Sequence, residues 1–253
     1  MTASVPLDLS PAPGAAPARS RWRAQARLEW FLLMSNGEQL LLTLVIPVAV
    51  LIGVVRLDLA TVELAAPGAL ALAVLSSAFT ATAIATGFER RSGVLKYLGT
   101  TPLARSGLLV GKALATLAVI ALQAVVVTVT ALALGWDPRP AAPIVLVAAL
   151  VLGTAALGSW GFALAGLLRA EATLAVANAI FLVLLLAGGV VVPVTRAPAV
   201  LSGLLSVLPS SALADALRAA WGVGSGGAGA DLVVLLCWAL GGVALAARTF
   251  RWE

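Results

Sequence analysis

The sequence predicts an all-α membrane protein that crosses a lipid bilayer six times, and three observations carry that prediction. Hydrophobic residues make up 61% of the 253 residues and charged ones only 11%, with a mean hydropathy of +1.07, against roughly half apolar and a quarter charged in soluble domains. The apolar residues gather into six blocks, and a helix needs about 20 such residues to cross a hydrocarbon core. The basic residues collect between alternate blocks instead of forming one run. Inside lipid a backbone must satisfy its own hydrogen bonds, so each block reads as a helix even where it contains glycine or proline.

The elements follow in chain order. The N-terminus, MTASVPLDLSPAPGAAPARSRWR, places proline and alanine ahead of arginine, whereas a secretory signal needs its basic region before an apolar core. Residues 1–18 therefore read as a disordered cytoplasmic tail and residues 19–253 as one membrane domain. From Arg21 to Met34, Trp22, Ala26, Trp30 and Leu33 recur at helical spacing while Arg23, Gln25 and Arg27 turn elsewhere. That pattern predicts an interfacial amphipathic helix on the inner leaflet. The six spans are Leu40 to Val55, Pro67 to Phe88, Leu108 to Leu134, Ile144 to Leu168, Thr173 to Val192 and Asp231 to Ala247. The first is short, a mismatch that local thinning or snorkelling absorbs. Gly87 to Lys112 forms a long inner loop, and Pro193 to Ala230 a long outer one. In the outer loop, Ala199 to Val207 and Ser211 to Ala220 predict short helices that dip into the outer leaflet.

Orientation follows from the basic residues, since cytoplasmic loops retain Lys and Arg. Twelve of the sixteen lie on one side: Arg19, Arg21, Arg23, Arg27, Arg90, Arg91, Lys96, Arg105, Lys112, Arg169, Arg248 and Arg251. Arg56, Arg139, Arg196 and Arg218 lie on the other. Both termini are thus expected in the cytoplasm, with Trp136 and Trp221 in an outer aromatic belt and Trp22, Trp30 and Trp252 in an inner one. The net charge of +5 is spread between hydrophobic blocks, which fits membrane topology and not nucleic-acid binding. A bias to arginine over lysine, with alanine, glycine, leucine and valine filling the spans, points to a GC-rich bacterial genome and hence to the bacterial plasma (inner) membrane.

Several chemistries are excluded. There is no histidine and a single cysteine, Cys237, so disulfides and Cys/His zinc sites are absent and Cys237 reads as a solitary buried thiol. GLLVGKA, ending at Lys112 and Ala113, has neither the spacing nor the Ser/Thr of a Walker A loop. No hydrolase motif is present, and the spans carry almost none of the ionisable residues that ion-coupled transporters place in the membrane. Among polar side chains deep in spans, Gln123 and Asn178 are the candidates for lining a pathway, with helix-to-helix hydrogen bonding as the alternative. Gly107 and Gly111 form a GxxxG that permits close packing.

The inner loop is the most specific feature. Charges follow directly on a span (Phe88, Glu89, Arg90, Arg91), the chain turns at Gly93, and VLKYLGTTPL carries Val94, Leu95, Tyr97 and Leu98, which a solvated linker has no reason to hold. The string ERRSGVLKYLGTTPLARSGLLVGK resembles the type-2 membrane domains of ATP-binding cassette (ABC) exporters, whose E-R-x-x-G-x-L-x-x-L-x-x-[ST]-P-L segment lies between spans two and three. The match falls on Glu89, Arg90, Gly93, Leu95, Leu98, Thr101, Pro102 and Leu103, and LPSSALADALRAAW from Leu208 to Trp221 looks like the family's proline followed by an amphipathic helix.

The resemblance implies a permease subunit of an ABC exporter that pairs with itself or a close relative and docks on two separate cytoplasmic ATPase subunits. ATP and Mg are then bound by those partners; this chain holds no cofactor or metal and is not itself an enzyme. The inner loop becomes the coupling helix, involving Glu89, Arg90, Arg91, Gly93, Leu95, Tyr97, Leu98 and Pro102. In that reading Glu89 and Arg90 anchor the loop by charge, Leu95, Tyr97 and Leu98 fill a groove on the ATPase, and Pro102 ends the short helix. The implied cargo is hydrophobic or amphipathic (a drug, antibiotic, lipid or polysaccharide precursor); the motif does not select among these, and the bacterial drug-resistance and antibiotic-export branch is the first expectation. The competing reading from the same residues is a membrane anchor or assembly protein that recruits a cytoplasmic partner and moves nothing. Topology gives the first testable expectation: with Cys237 replaced by serine, a cysteine at Lys96 is labelled only from inside and one at Asp215 only from outside. Labelling of position 96 from outside overturns the orientation.

Overall fold

The computed structural model describes residues 16–35, 37–138, 142–190, 199–223 and 227–250. Most of the expected N-terminal tail, residues 1–15, lies outside the described residues, as do positions 191–192 at the end of the fifth expected span and positions 193–198 and 224–226 of the long outer loop. Every regular element among the described residues is helical: α1 (Ala18–Ser35), α2 (Gly37–Arg56), α3 (Val62–Val74), a π-helical segment (Leu75–Ala81), α4 (Thr82–Arg91), α5 (Val94–Gly99), α6 (Arg105–Ala133), α7 (Pro143–Leu167), α8 (Ala170–Ala187), α9 (Ala199–Leu205), α10 (Pro209–Ala220) and α11 (Gly229–Thr249).

Among the described residues, five helices are long and apolar enough to cross a membrane. They are the continuous rod from Val62 to Arg91, then α6, α7, α8 and α11, and they coincide with the last five expected spans. Most run a few residues further than the hydrophobic runs at one or both ends, because helical hydrogen bonding continues into polar flanks that hydropathy discounts. α2 stands where the first span was expected, with Thr43–Arg56 as a shorter apolar stretch.

The rod Val62–Arg91 and α7 form the centre. Eleven of thirteen α3 residues are buried, so this element reads as a core helix wrapped by the others. Halfway along, the seven-residue π segment widens the turn, and Thr82 Oγ1 donates to the Ser77 carbonyl five residues back at 3.1 Å. α7 approaches that segment through Gly161, where a Cβ would stand 2.8 Å from the Phe79 carbonyl oxygen. Small residues at such crossings let helix backbones meet, which is how membrane helices associate when lipid removes the hydrophobic incentive.

The two ends of the bundle differ. At one end Leu95 of α5, Leu108 of α6 and Phe250, just past α11, share a small apolar cluster, and α1 lies along the start of α6. At the other end α10 is not a surface helix: ten of its twelve residues are buried, packed against α7, α11 and α3. Pro209 opens it at the first helical position, where the missing N–H costs nothing. Arg218 then reaches back, donating to Asp215 Oδ1 at 2.8 Å and to the carbonyls of Gly189 at 2.7 Å and Val190 at 3.1 Å. Burial pulls the Arg218 guanidinium below its usual range and the bond to Asp215 opposes this.

Three expectations are corrected here. Gln25, placed on the outward side of α1, is buried with Glu29, while Leu28, Phe31 and Leu32 are exposed, because polar partners on α6 attract the polar face. Trp136 is buried against Trp221, ring centroids 4.7 Å apart and edge to face, so it packs α10 and does not stand in a lipid belt. Cys237 is exposed on α11 and not buried. Arg218→Ala leaves Asp215 and two buried carbonyls without a donor and is expected to lower stability by about 3–5 kcal/mol, read as a fall in Tm of the detergent-solubilised chain. Arg218→Lys, which keeps the charge but not the fork, falls between.

Candidate functional site

The site is built around Lys112, eight residues into α6 and 6% exposed. An ammonium in such a place must find anions, since desolvating an unpaired charge costs several kcal/mol. It finds two. Lys112 Nζ lies 3.0 Å from Glu29 Oε2 on α1 and 2.7 Å from Glu89 Oε1 on α4, and Gln25 Nε2 donates to the second Glu29 oxygen at 2.7 Å. One cation thereby ties three helices. The GxxxG of α6 makes the approach possible: a Cβ at Gly107 would come 2.9 Å from the Trp22 ring, and one at Gly111 would come 2.6 Å from Gln25 Cγ.

The chain leaves α4 just beyond this knot. Arg90 donates to the carbonyls of Gly166, at 3.0 Å, and Leu168, satisfying groups that the end of α7 leaves without helical partners. Arg91 pairs with Glu171 at the start of α8. Gly93 then turns the chain with φ of 79°, a left-handed conformation that a side chain would strain. α5 follows. Its Leu95 is fully buried against Leu108 and Phe250, whereas Tyr97 is 73% exposed and Val94 44%. Leu98 and Leu103 pack at the edge of the same cluster.

Two expectations about this segment change. Leu95 does not face a partner groove; it is the bolt that holds α5 to its own chain. Pro102 does not end the helix, which stops at Gly99, where the hydroxyls of Thr100 and Thr101 turn back onto the carbonyls of Tyr97 and Leu98. Pro102 instead offers its carbonyl to Arg21 of α1.

The family model for the ABC-2 type transporter matches residues 21–221, a stretch that begins on α1 and includes Lys112, both its carboxylate partners and the whole of α5. The chain belongs to the ABC-2 type transporter family. It is therefore a membrane-embedded permease subunit of an ABC transporter, and membership implies association with ATP-binding subunits. No match is found among curated proteins.

In this ABC-2 permease the two pathway candidates part company. Gln123 is 1% exposed; its amide donates to the Thr43 carbonyl and the Ser77 hydroxyl, each at 2.9 Å. It is a staple between α2, the π segment and α6, which corrects its assignment to a pathway wall. Asn178 faces outward from α8, its Nδ2 donating to the Leu174 carbonyl one turn back at 2.9 Å. Below the Lys112 knot lies a cavity of about 480 Å³ between α1, α2, the π segment, α4 and α6. Neither the cavity nor the α1 partnership was foreseen, because Lys112 was counted as a loop charge although it sits inside a span.

Lys112→Met removes the shared cation and leaves the largely buried Glu29 and Glu89 carboxylates without their counter-ion. The expected cost is about 3–5 kcal/mol, measured as lowered thermal stability. Adding Glu29→Gln should recover part of it, since the two changes act on one contact.

Proposed function

We propose that this permease exports a hydrophobic or amphipathic substrate across a bacterial plasma membrane, driven by ATP hydrolysed on separate cytoplasmic subunits that dock at α5. The observation that carries the reading is the two-sidedness of α5. Tyr97, Val94 and Lys96 face away from the bundle while Leu95, with Glu89, Arg90 and Arg91 just ahead, fixes the segment to α4, α6, α7 and α8. A push received on Tyr97 passes through that fixed base to helices α4, α6, α7 and α8. An anchor protein needs only the exposed half of such an arrangement.

Six crossings with both termini in the cytoplasm follow if α2 also spans. In support of this, α1 and Phe250 both contact the α5 end of the bundle, as they would with an even number of passages between them. A partnership of two permease copies with two ATPase subunits is the arrangement the family resemblance implies. In support of a second copy, α8 is little buried within its own chain, 17% over its apolar window, and carries Asn178 outward. A pathway between copies would then run past Asn178. For cargo this reading favours a drug or antibiotic, as in the bacterial drug-resistance and antibiotic-export branch.

The test separates the two faces of α5. Tyr97→Ala with Val94→Ala removes exposed apolar side chains worth about 1.5–3 kcal/mol each if fully buried on docking, so co-purification with the ATP-binding subunit should weaken by at least about tenfold while topology stays intact. Leu95→Ala should instead lower the chain's own stability. Normal export by the double variant with its ATPase fully bound would make α5 a topological linker.

A further inference from the structure

The cavity beneath Lys112 has an imbalance of charge. The charged residues among those lining it are Glu29, Glu89 and Lys112, two carboxylates against one ammonium. Lys112 and Glu29 are shut away, with 7% and 9% of their side chains exposed, but Glu89 keeps 23%. Its Oε1 is taken by Lys112 while its Oε2 has no hydrogen-bond partner. One turn earlier on α4, Thr86 is 2% exposed and its hydroxyl likewise has none. Leaving such groups unpaired costs roughly 1–3 kcal/mol apiece, so both are positions where an arriving donor is rewarded.

The rest of the wall is graded. Leu32 and Leu33 of α1 with Phe88 and Val119 supply apolar surface, and Ser77 and Thr82 of the π segment and its edge supply hydroxyls deeper in. From Ser92 to Ser77 the cavity follows the rod for roughly 20 Å at helical rise. Its depth coincides with the π-helical widening, a feature that recurs at functional sites. The volume exceeds what a few bridging waters occupy at about 30 Å³ each.

We propose that this cavity binds an amphiphile bearing a protonated primary amine, with the ammonium between Glu89 and Thr86 and the chain along Leu32, Leu33 and Phe88. A second cationic centre balances the second carboxylate, and an ammonium's N–H donors fit both an acceptor-only carboxylate and a hydroxyl. An anionic head would add to the excess negative charge. The inference rests on the permease reading only for the ligand's role, which is either cargo or a resident lipid headgroup of the same chemistry.

The test uses the full chain in phosphatidylcholine nanodiscs, whose quaternary headgroup donates no N–H. The probe is dodecylamine carrying a dansyl group at the far end of its chain, followed by energy transfer from tryptophan. Saturable binding is expected, unaffected by dodecyl sulfate. Thr86→Val should weaken it by about tenfold, the equivalent of one lost hydrogen bond to a charged group. Ala85→Leu, which fills the cavity without touching a polar group, should abolish it. A signal no different from protein-free discs, equal competition by dodecyl sulfate, or indifference to Ala85→Leu overturns the site. Displacement by phosphatidylethanolamine identifies the lipid headgroup as occupant; a rise in ATP hydrolysis by the assembled complex identifies cargo; either result upholds the site. Failure to bind while the ATPase still co-purifies sinks the cavity proposal alone, and loss of the ATPase with binding intact sinks the permease reading alone.

Discussion

A buried ammonium has to be neutralised where it stands, and Lys112 imposes that demand on the whole α5 end of the molecule. Its two carboxylate partners lie on helices that would otherwise have little reason to meet: Glu29 is 83 residues away and Glu89 is 23. Satisfying the charge draws α1 against α6 and fixes the end of the rod that leads into α5. Such a contact adds little net stability compared with a well-packed apolar replacement, yet breaking it from one side is expensive. It therefore sets position more than it adds strength.

The opposite end uses the same device with an arginine. Arg218 serves Asp215 and two carbonyls of the chain following α8, and so holds α10 inside the bundle. Between these two charged fixtures the bundle is apolar, joined by close backbone approaches at glycines and by the Gln123 staple. The rod from Val62 to Arg91 connects both regions, interrupted by the π segment at its middle. Under the proposed coupling role of α5, a displacement entering there would meet the base fixed by Lys112, then the hydroxyl-bearing cavity beside the wider turn.

Much of this architecture was legible in the sequence because the hydrophobic blocks have the length a bilayer dictates, and no competing fold hides that much apolar surface. Proline at the head of α10 and glycine at the turn before α5 also read correctly, since each has a local conformational reason. What could not be read was tertiary. LSSAFTA contains no proline or glycine to announce a π segment. In a six-residue helix both Leu95 and Tyr97 are apolar enough to face either way, and the choice fell to Leu108 and Phe250, one of them distant in sequence. Lys112 was misjudged as a topological charge for want of any view of Glu29, and Gln25 was turned outward for the same reason. Gln123 had helix-to-helix bonding as its stated alternative, and that alternative is what the structure shows.

The most direct test of the account is hydrogen exchange of the intact chain with and without Lys112→Met, read over α1 and over α5. If the buried cation is the common tie, both helices lose protection together while α7 and α11 keep theirs. Unchanged exchange in α1 and α5, or loss confined to α6, would contradict it.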